Sequence, residues 1–107
     1  MIYEFREYRA TPGKLPALNE RFEARMVDLL ARHDIRPMGF WENMVGRGGT
    51  LRYLIPFRDA QHLLQSWEAF RRDSEVAQVF EETERGGPLV AEIRNQLWRP
   101  TAYSDLQ

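Results

Sequence analysis

The sequence predicts an α+β fold: a ferredoxin-like β-α-β-β-α-β order with an antiparallel four-stranded sheet and an extra short helix before the last strand. Three observations carry this reading. Residues 2–10 alternate in the manner of a strand and include Ile2, Tyr3 and Phe5. From Leu15 the apolar spacing changes to steps of three and four, through Leu18, Phe22, Met26, Leu29 and Leu30. Breakers then separate the segments: Thr11-Pro12-Gly13, Gly46-Arg47-Gly48-Gly49 and Gly86-Gly87-Pro88.

Each element has its own signal. Pro16 falls in the first turn of the first helix, where a missing N–H costs little. Asn19, Glu20, Glu23, Arg25 and Asp28 fill most of the opposite face, and the helix is expected to end near His33-Asp34. There His33 faces the negative end of the helix dipole, a structural role that needs no catalysis. Residues 35–45 read as an aromatic-rich strand, irregular at Gly39. After the 46–49 loop, residues 51–57 return as a second strand, and Pro56 suggests an edge or an ending.

Asp59 is a good N-cap for a second helix, whose stripe is Ala60, Leu63, Trp67 and Phe70. Asp73-Ser74 interrupts it, with Ser74 as a cap, and a short third helix follows through Val76, Val79 and Phe80. Residues 89–98 form the last strand, followed by a tail. In this topology the sheet order is 4-1-3-2, so the first strand is central. Helices cover one face, and a second copy of the chain is the simplest cover for the other. A homodimer through the sheet face is therefore expected, two sheets closing into a dimeric α+β barrel.

A length of 107 residues suits one domain, read as residues 1–107. The formal net charge of −1 offers no basic excess for a phosphate backbone, so no nucleic acid partner is expected. Lys14 is the one lysine among 15 basic residues. Arginine favours bidentate pairing with carboxylates, so much of the charge is expected in surface pairs. With no cysteine, thiolate metal sites, disulfides and cysteine nucleophiles are excluded. No apolar run approaches the roughly 18 residues of a membrane span. Strand-like sequence begins at Ile2, and a cytoplasmic protein without a signal peptide or membrane partner is expected.

The candidate chemistry centres on the first strand. In extended backbone Glu4, Arg6 and Tyr8 share one face. Their expected cross-strand neighbours are Tyr53, Glu92, Arg94 and Gln96. Two readings stand: a ladder of ion pairs that sets strand register, or the polar floor of a small-molecule pocket. In the second, Arg6 binds an anionic or enolic oxygen while Glu4 or Tyr8 handles a proton.

His62, one turn into the second helix, is either solvated or a general base over a pocket mouth. Trp41, Tyr53, Trp67 and Asn95 are the candidate substrate contacts. The tryptophans serve equally well as core or dimer interface. His33 and His62 lie on different helices with no ligand spacing, so no metal is expected. Nothing selects His62 as a haem ligand, and no cofactor is expected. Ser66, Ser74 and Ser104 lack any nucleophile-elbow context; Ser66 reads as a surface helix residue.

Three stretches resemble the NIPSNAP family: Met1 to Tyr8 with Pro12-Gly13-Lys14, then Gly39-Phe40-Trp41-Glu42 followed by Gly46, and Asn95 to Ser104. The resemblance spans almost the whole chain and implies the dimeric α+β barrel superfamily. That superfamily includes cofactor-independent monooxygenases, polyketide cyclases and haem-binding proteins, whereas NIPSNAP members mostly lack an assigned reaction. Two functions are expected on this basis. One is a cofactor-independent enzyme of cyclase, isomerase or monooxygenase type acting on a small hydrophobic or aromatic metabolite. The other is a non-catalytic dimeric ligand-binding or scaffold protein.

Overall fold

A computed structural model describes all 107 residues, Met1–Gln107. Four strands form one antiparallel sheet: β1 (Ile2–Ala10), β2 (Gly39–Glu42), β3 (Thr50–Phe57) and β4 (Val90–Trp98), in the order β2-β3-β1-β4. This is the expected order, with β1 central. A helical rod follows β1: α1 (Leu15–Arg21), a π-helical turn (Phe22–Met26) and α2 (Val27–Arg32). Helix α3 (Ala60–Arg72) and the extra helix α4 (Ser74–Thr83) precede β4. No helix is long and apolar enough to cross a membrane.

The π-helical turn departs from the regular helix that the spacing predicts. Leu18, Phe22 and Met26 are successive steps of four, and each step overshoots a 3.6-residue turn. The wider turn absorbs this drift and keeps all three side chains buried. The rod ends at Arg32, and Asp34 takes a left-handed conformation at φ 58°.

Strand β2 is shorter than residues 35–45. Ile35 is buried in the connection instead, its N–H bonded to the carbonyl of Leu30, and Pro37 lies between it and the strand. Nor does Pro56 mark an edge, because β3 lies between β2 and β1. The Leu54 carbonyl accepts from the Met38 N–H, on the β2 side. Backbone polar groups two residues apart face the same way. The Pro56 nitrogen therefore points past the end of β2, where no ladder partner is lost.

Asp59 caps α3 as expected, accepting from the His62 N–H at 2.8 Å. At α4 the cap is Asp73, which accepts from the Glu75 N–H, and Ser74 is the first helical residue. Ser66 is buried beside Trp67 on α3, not at the surface. The core lies between helices and sheet, where Leu18, Leu30, Ile35, Ile55, Phe57 and Val79 are fully enclosed. Removing one such side chain typically costs about 2–5 kcal/mol.

Candidate functional site

The even-numbered side chains of β1 face the helices. This places Glu4, Arg6 and Tyr8 under α3 and the helical rod, in contact with Trp67 and Phe22. Register decides their neighbours. Arg6 lies between Tyr53 of β3 and Asn95 of β4, and Glu4 lies between Ile55 and Leu97. Tyr53 is the expected neighbour. Glu92, Arg94 and Gln96 are not, because they pair with Arg9, Glu7 and Phe5 and share the opposite face.

Glu4 is 2% exposed, and both its oxygens are occupied. Oε1 accepts from Trp67 Nε1 at 2.7 Å. Oε2 accepts from Arg6 Nη1 and from Asn95 Nδ2, each at 3.0 Å. A buried carboxylate needs this degree of satisfaction to persist. The Arg6 guanidinium lies over the Trp67 ring, 4.5 Å from its centroid. Its Nε donates to the Tyr8 hydroxyl at 3.2 Å, and that hydroxyl shares a 2.6 Å hydrogen bond with Tyr53. One chain of contacts thus runs Trp67–Glu4–Arg6–Tyr8–Tyr53.

The surroundings tune two of these groups. Burial works against the Arg6 charge, but Tyr8, Tyr53 and Glu4 outweigh it and hold its pKa above the ordinary value. Burial pushes the Tyr53 hydroxyl well above the ordinary tyrosine range, and Tyr8 adds to the effect. Tyr53 therefore keeps its proton, within a hydrogen-bonded pair that lies beside a permanent cation.

Two neighbouring spaces adjoin this relay. A cleft of about 410 Å³ lies between β4 and the end of α4, lined by Tyr8, Arg21, Phe80, Glu84, Val90 and Ile93 among others. A chamber of about 40 Å³ lies deeper, beneath the π-helical turn, and touches Tyr8, Tyr53 and Trp67. Tyr8, Arg21 and Phe80 line both. Glu4 and Arg6 line neither, and they touch the chamber wall only through Trp67 and Tyr8.

Arg21 is the residue that sequence reasoning missed. It is 4% exposed although charged, and its Nη1 donates to Glu84 at 2.9 Å and Thr83 at 3.2 Å. Its guanidinium lies 4.2 Å from the Phe80 ring centroid. Its Nε is buried without a partner, a condition that typically costs about 1–3 kcal/mol. The available signal was its place three residues after Leu18, beside Phe22 on the apolar stripe.

Two candidates lie elsewhere. His62 Nδ1 accepts from the Arg58 N–H at 3.0 Å, so Nε2 carries the proton and donates to Asp34 at 2.8 Å. With both ring nitrogens engaged, it stands outside the relay and offers no free nitrogen to a proton or a haem iron. Trp41 is 53% exposed on edge strand β2, paired with Arg52 and folded over Gly39. No group of three or more histidine, aspartate or glutamate side chains is placed to hold a metal ion.

Comparison with known proteins agrees with this architecture. The sequence model of the NIPSNAP family matches residues 3–105. Among solved structures, the chain is similar to protein Atu4242 of Agrobacterium tumefaciens, with a TM-score of 0.88, 20% identity and 100% of each chain covered. An Agrobacterium tumefaciens C58 NIPSNAP family protein also gives a TM-score of 0.88, at 16% identity over 99% of this chain and 98% of that one. An uncharacterized NIPSNAP domain protein from Burkholderia xenovorans gives 0.85, at 19% identity over 97% and 98%. At these identities the structures show the shared fold. Comparison with curated proteins gives no match.

Proposed function

The chain belongs to the NIPSNAP family, and we propose that it binds a small, largely apolar or aromatic molecule and acts on it by proton transfer. One observation carries this reading. Tyr8 lines both the cleft and the chamber while its hydroxyl is held between Arg6 and Tyr53. A hydroxyl so placed holds or delivers a proton at a ligand oxygen, and the Arg6 cation stabilises negative charge that develops there. Glu4, with both oxygens occupied, positions Arg6 and Trp67. On the cleft wall the free acceptor is Glu84, whose Oε1 has no hydrogen bond; the Glu92 carboxylate is turned to the open face, where Arg94 and Arg9 bind it. Such an acid–base pair suits a cyclase or isomerase type of reaction more directly than a monooxygenase type.

The test uses 1-tetralone, a flat ketone with exchangeable hydrogens beside its carbonyl. Incubated in heavy water, the wild type is expected to speed deuterium incorporation there, and Tyr8→Phe to lose the effect. Binding without exchange favours the non-catalytic ligand-binding reading, which the small size of the inner chamber supports. Absence of binding sinks both.

The open sheet face supports a homodimer. Phe5 and Trp98 stack at 4.9 Å, with Leu54 and Pro56 on the same face. Trp98 remains 43% exposed, an apolar patch that a second copy buries. Light scattering at micromolar concentration is expected to give twice the 12.7 kDa chain mass; a monomer contradicts this.

A further inference from the structure

We infer that the Arg21 Nε–H is a ligand-binding donor, which donates to the neutral ketone oxygen of a molecule seated between β4 and α4. The inference rests on the ligand-binding reading above and names the chemistry of its ligand. Arg21 Nε is the one buried side-chain nitrogen or oxygen without a hydrogen-bond partner. Arg21 also lines both the cleft and the chamber. Buried donors are nearly always partnered, so one left bare beside a cavity marks a place reserved for something absent from the chain itself.

A water is a poor occupant. Apart from Arg21 the chamber is lined by apolar and aromatic side chains, and its two tyrosine hydroxyls are already bonded to each other. A buried water typically needs about three polar partners. A full anion is disfavoured as well. Glu84 already neutralises the Arg21 guanidinium. A carboxylate ligand would bring excess negative charge into a partly dry space. A neutral carbonyl completes the donor without disturbing that balance. Its apolar body then rests against Phe80, Val90 and Ile93, within reach of Tyr8 on the shared wall.

The arginine Nε–H gives its own cross-peak in a nitrogen–proton correlation spectrum, and Arg21→Lys assigns it by its loss. Lysine keeps a cation for Glu84 but removes the planar donor. The probes are 1-tetralone, tetralin (the same rings without the oxygen) and 1-naphthoate. The expected result is that 1-tetralone shifts the Arg21 Nε–H peak and binds about a hundredfold more tightly than tetralin, about tenfold for each of its hydrogen bonds to Arg21 and Tyr8. In Arg21→Lys the ketone loses about tenfold of that affinity, the share of the one hydrogen bond. Three results overturn the inference. If tetralin and 1-tetralone both move the Trp67 indole peak but not Arg21 Nε–H, the ligand site stands and the donor role falls. If 1-naphthoate binds more tightly than the ketone, the site is an anion site. If no probe moves either peak, the ligand-binding reading falls too. Should Arg21→Lys fail to fold, the wild-type spectrum and the three affinities still decide.

Discussion

The two faces of β1 carry similar residues in different circumstances. On the open face, Glu7 pairs with Arg52 and Arg9 with Glu92, all partly exposed. On the helix-covered face, Glu4 and Arg6 form a comparable pair, but Glu4 is enclosed and takes hydrogen bonds from three side chains. Water and salt screen the first set, and such pairs are worth about 0–1 kcal/mol. The second set lies where an unmatched charge is costly and dipoles stay fixed. One strand thus separates screened surface pairs from an enclosed polar network by residue parity alone.

Breaking a pair on each face gives the largest expected contrast. Glu4→Ala leaves the Arg6 cation and the Trp67 N–H without their acceptor and is expected to cost about 3 kcal/mol in urea unfolding. Glu7→Ala is expected to cost under about 1 kcal/mol. Equal costs would remove the distinction between the faces.

A smaller effect is expected at the end of the relay. Tyr53→Phe removes one of two hydrogen-bond partners from the Tyr8 hydroxyl, worth about 1 kcal/mol. Because Tyr53 is held well above its ordinary value of 10.0, removing it leaves the alkaline absorbance titration near that pH unchanged. A lost phenol titrating there contradicts the burial argument.

The smallest effect lies away from both faces. Asp73 is lowered from 3.8 to about 2, chiefly by its hydrogen bond to His33 and then by the Glu75 N–H. A depressed carboxylate contributes stability that is present above its unfolded value and lost as pH falls through the folded value. Stability is therefore expected to decline from about pH 3.8 toward about 2. Asp73→Asn keeps a competent N-cap but lacks this contribution. It is expected to be modestly less stable at neutral pH, with a shallower decline in that window.

Much of the fold is legible because each segment carries a period or a breaker. The shift from alternation in residues 2–10 to the Leu15–Leu30 stripe marks strand and helix, and Asp59 and Gly86-Gly87-Pro88 set later boundaries. Periodicity says little about where a strand stops pairing, so β2 was expected to be longer than Gly39–Glu42. Both faces of β1 mix apolar and charged residues, and composition does not say which one the helices cover. Glu4, Arg6, Tyr8, Tyr53, Trp67 and Asn95 come together through sheet order and register. His62 reads as a solvated residue or a general base because its partner Asp34 is 28 residues away in a turn. Arg21 is hidden because the lack of a partner at its buried Nε is a property of the packed structure.

The proposed function makes the relay on the helix-covered face a working site in which Tyr8 meets the ligand. Calorimetric titration of 1-tetralone into wild type and Tyr8→Phe tests that most directly. The account predicts binding to the wild type and about tenfold weaker binding to the variant, the loss of one ligand hydrogen bond. Equal affinities, or no binding by the wild type, would contradict it.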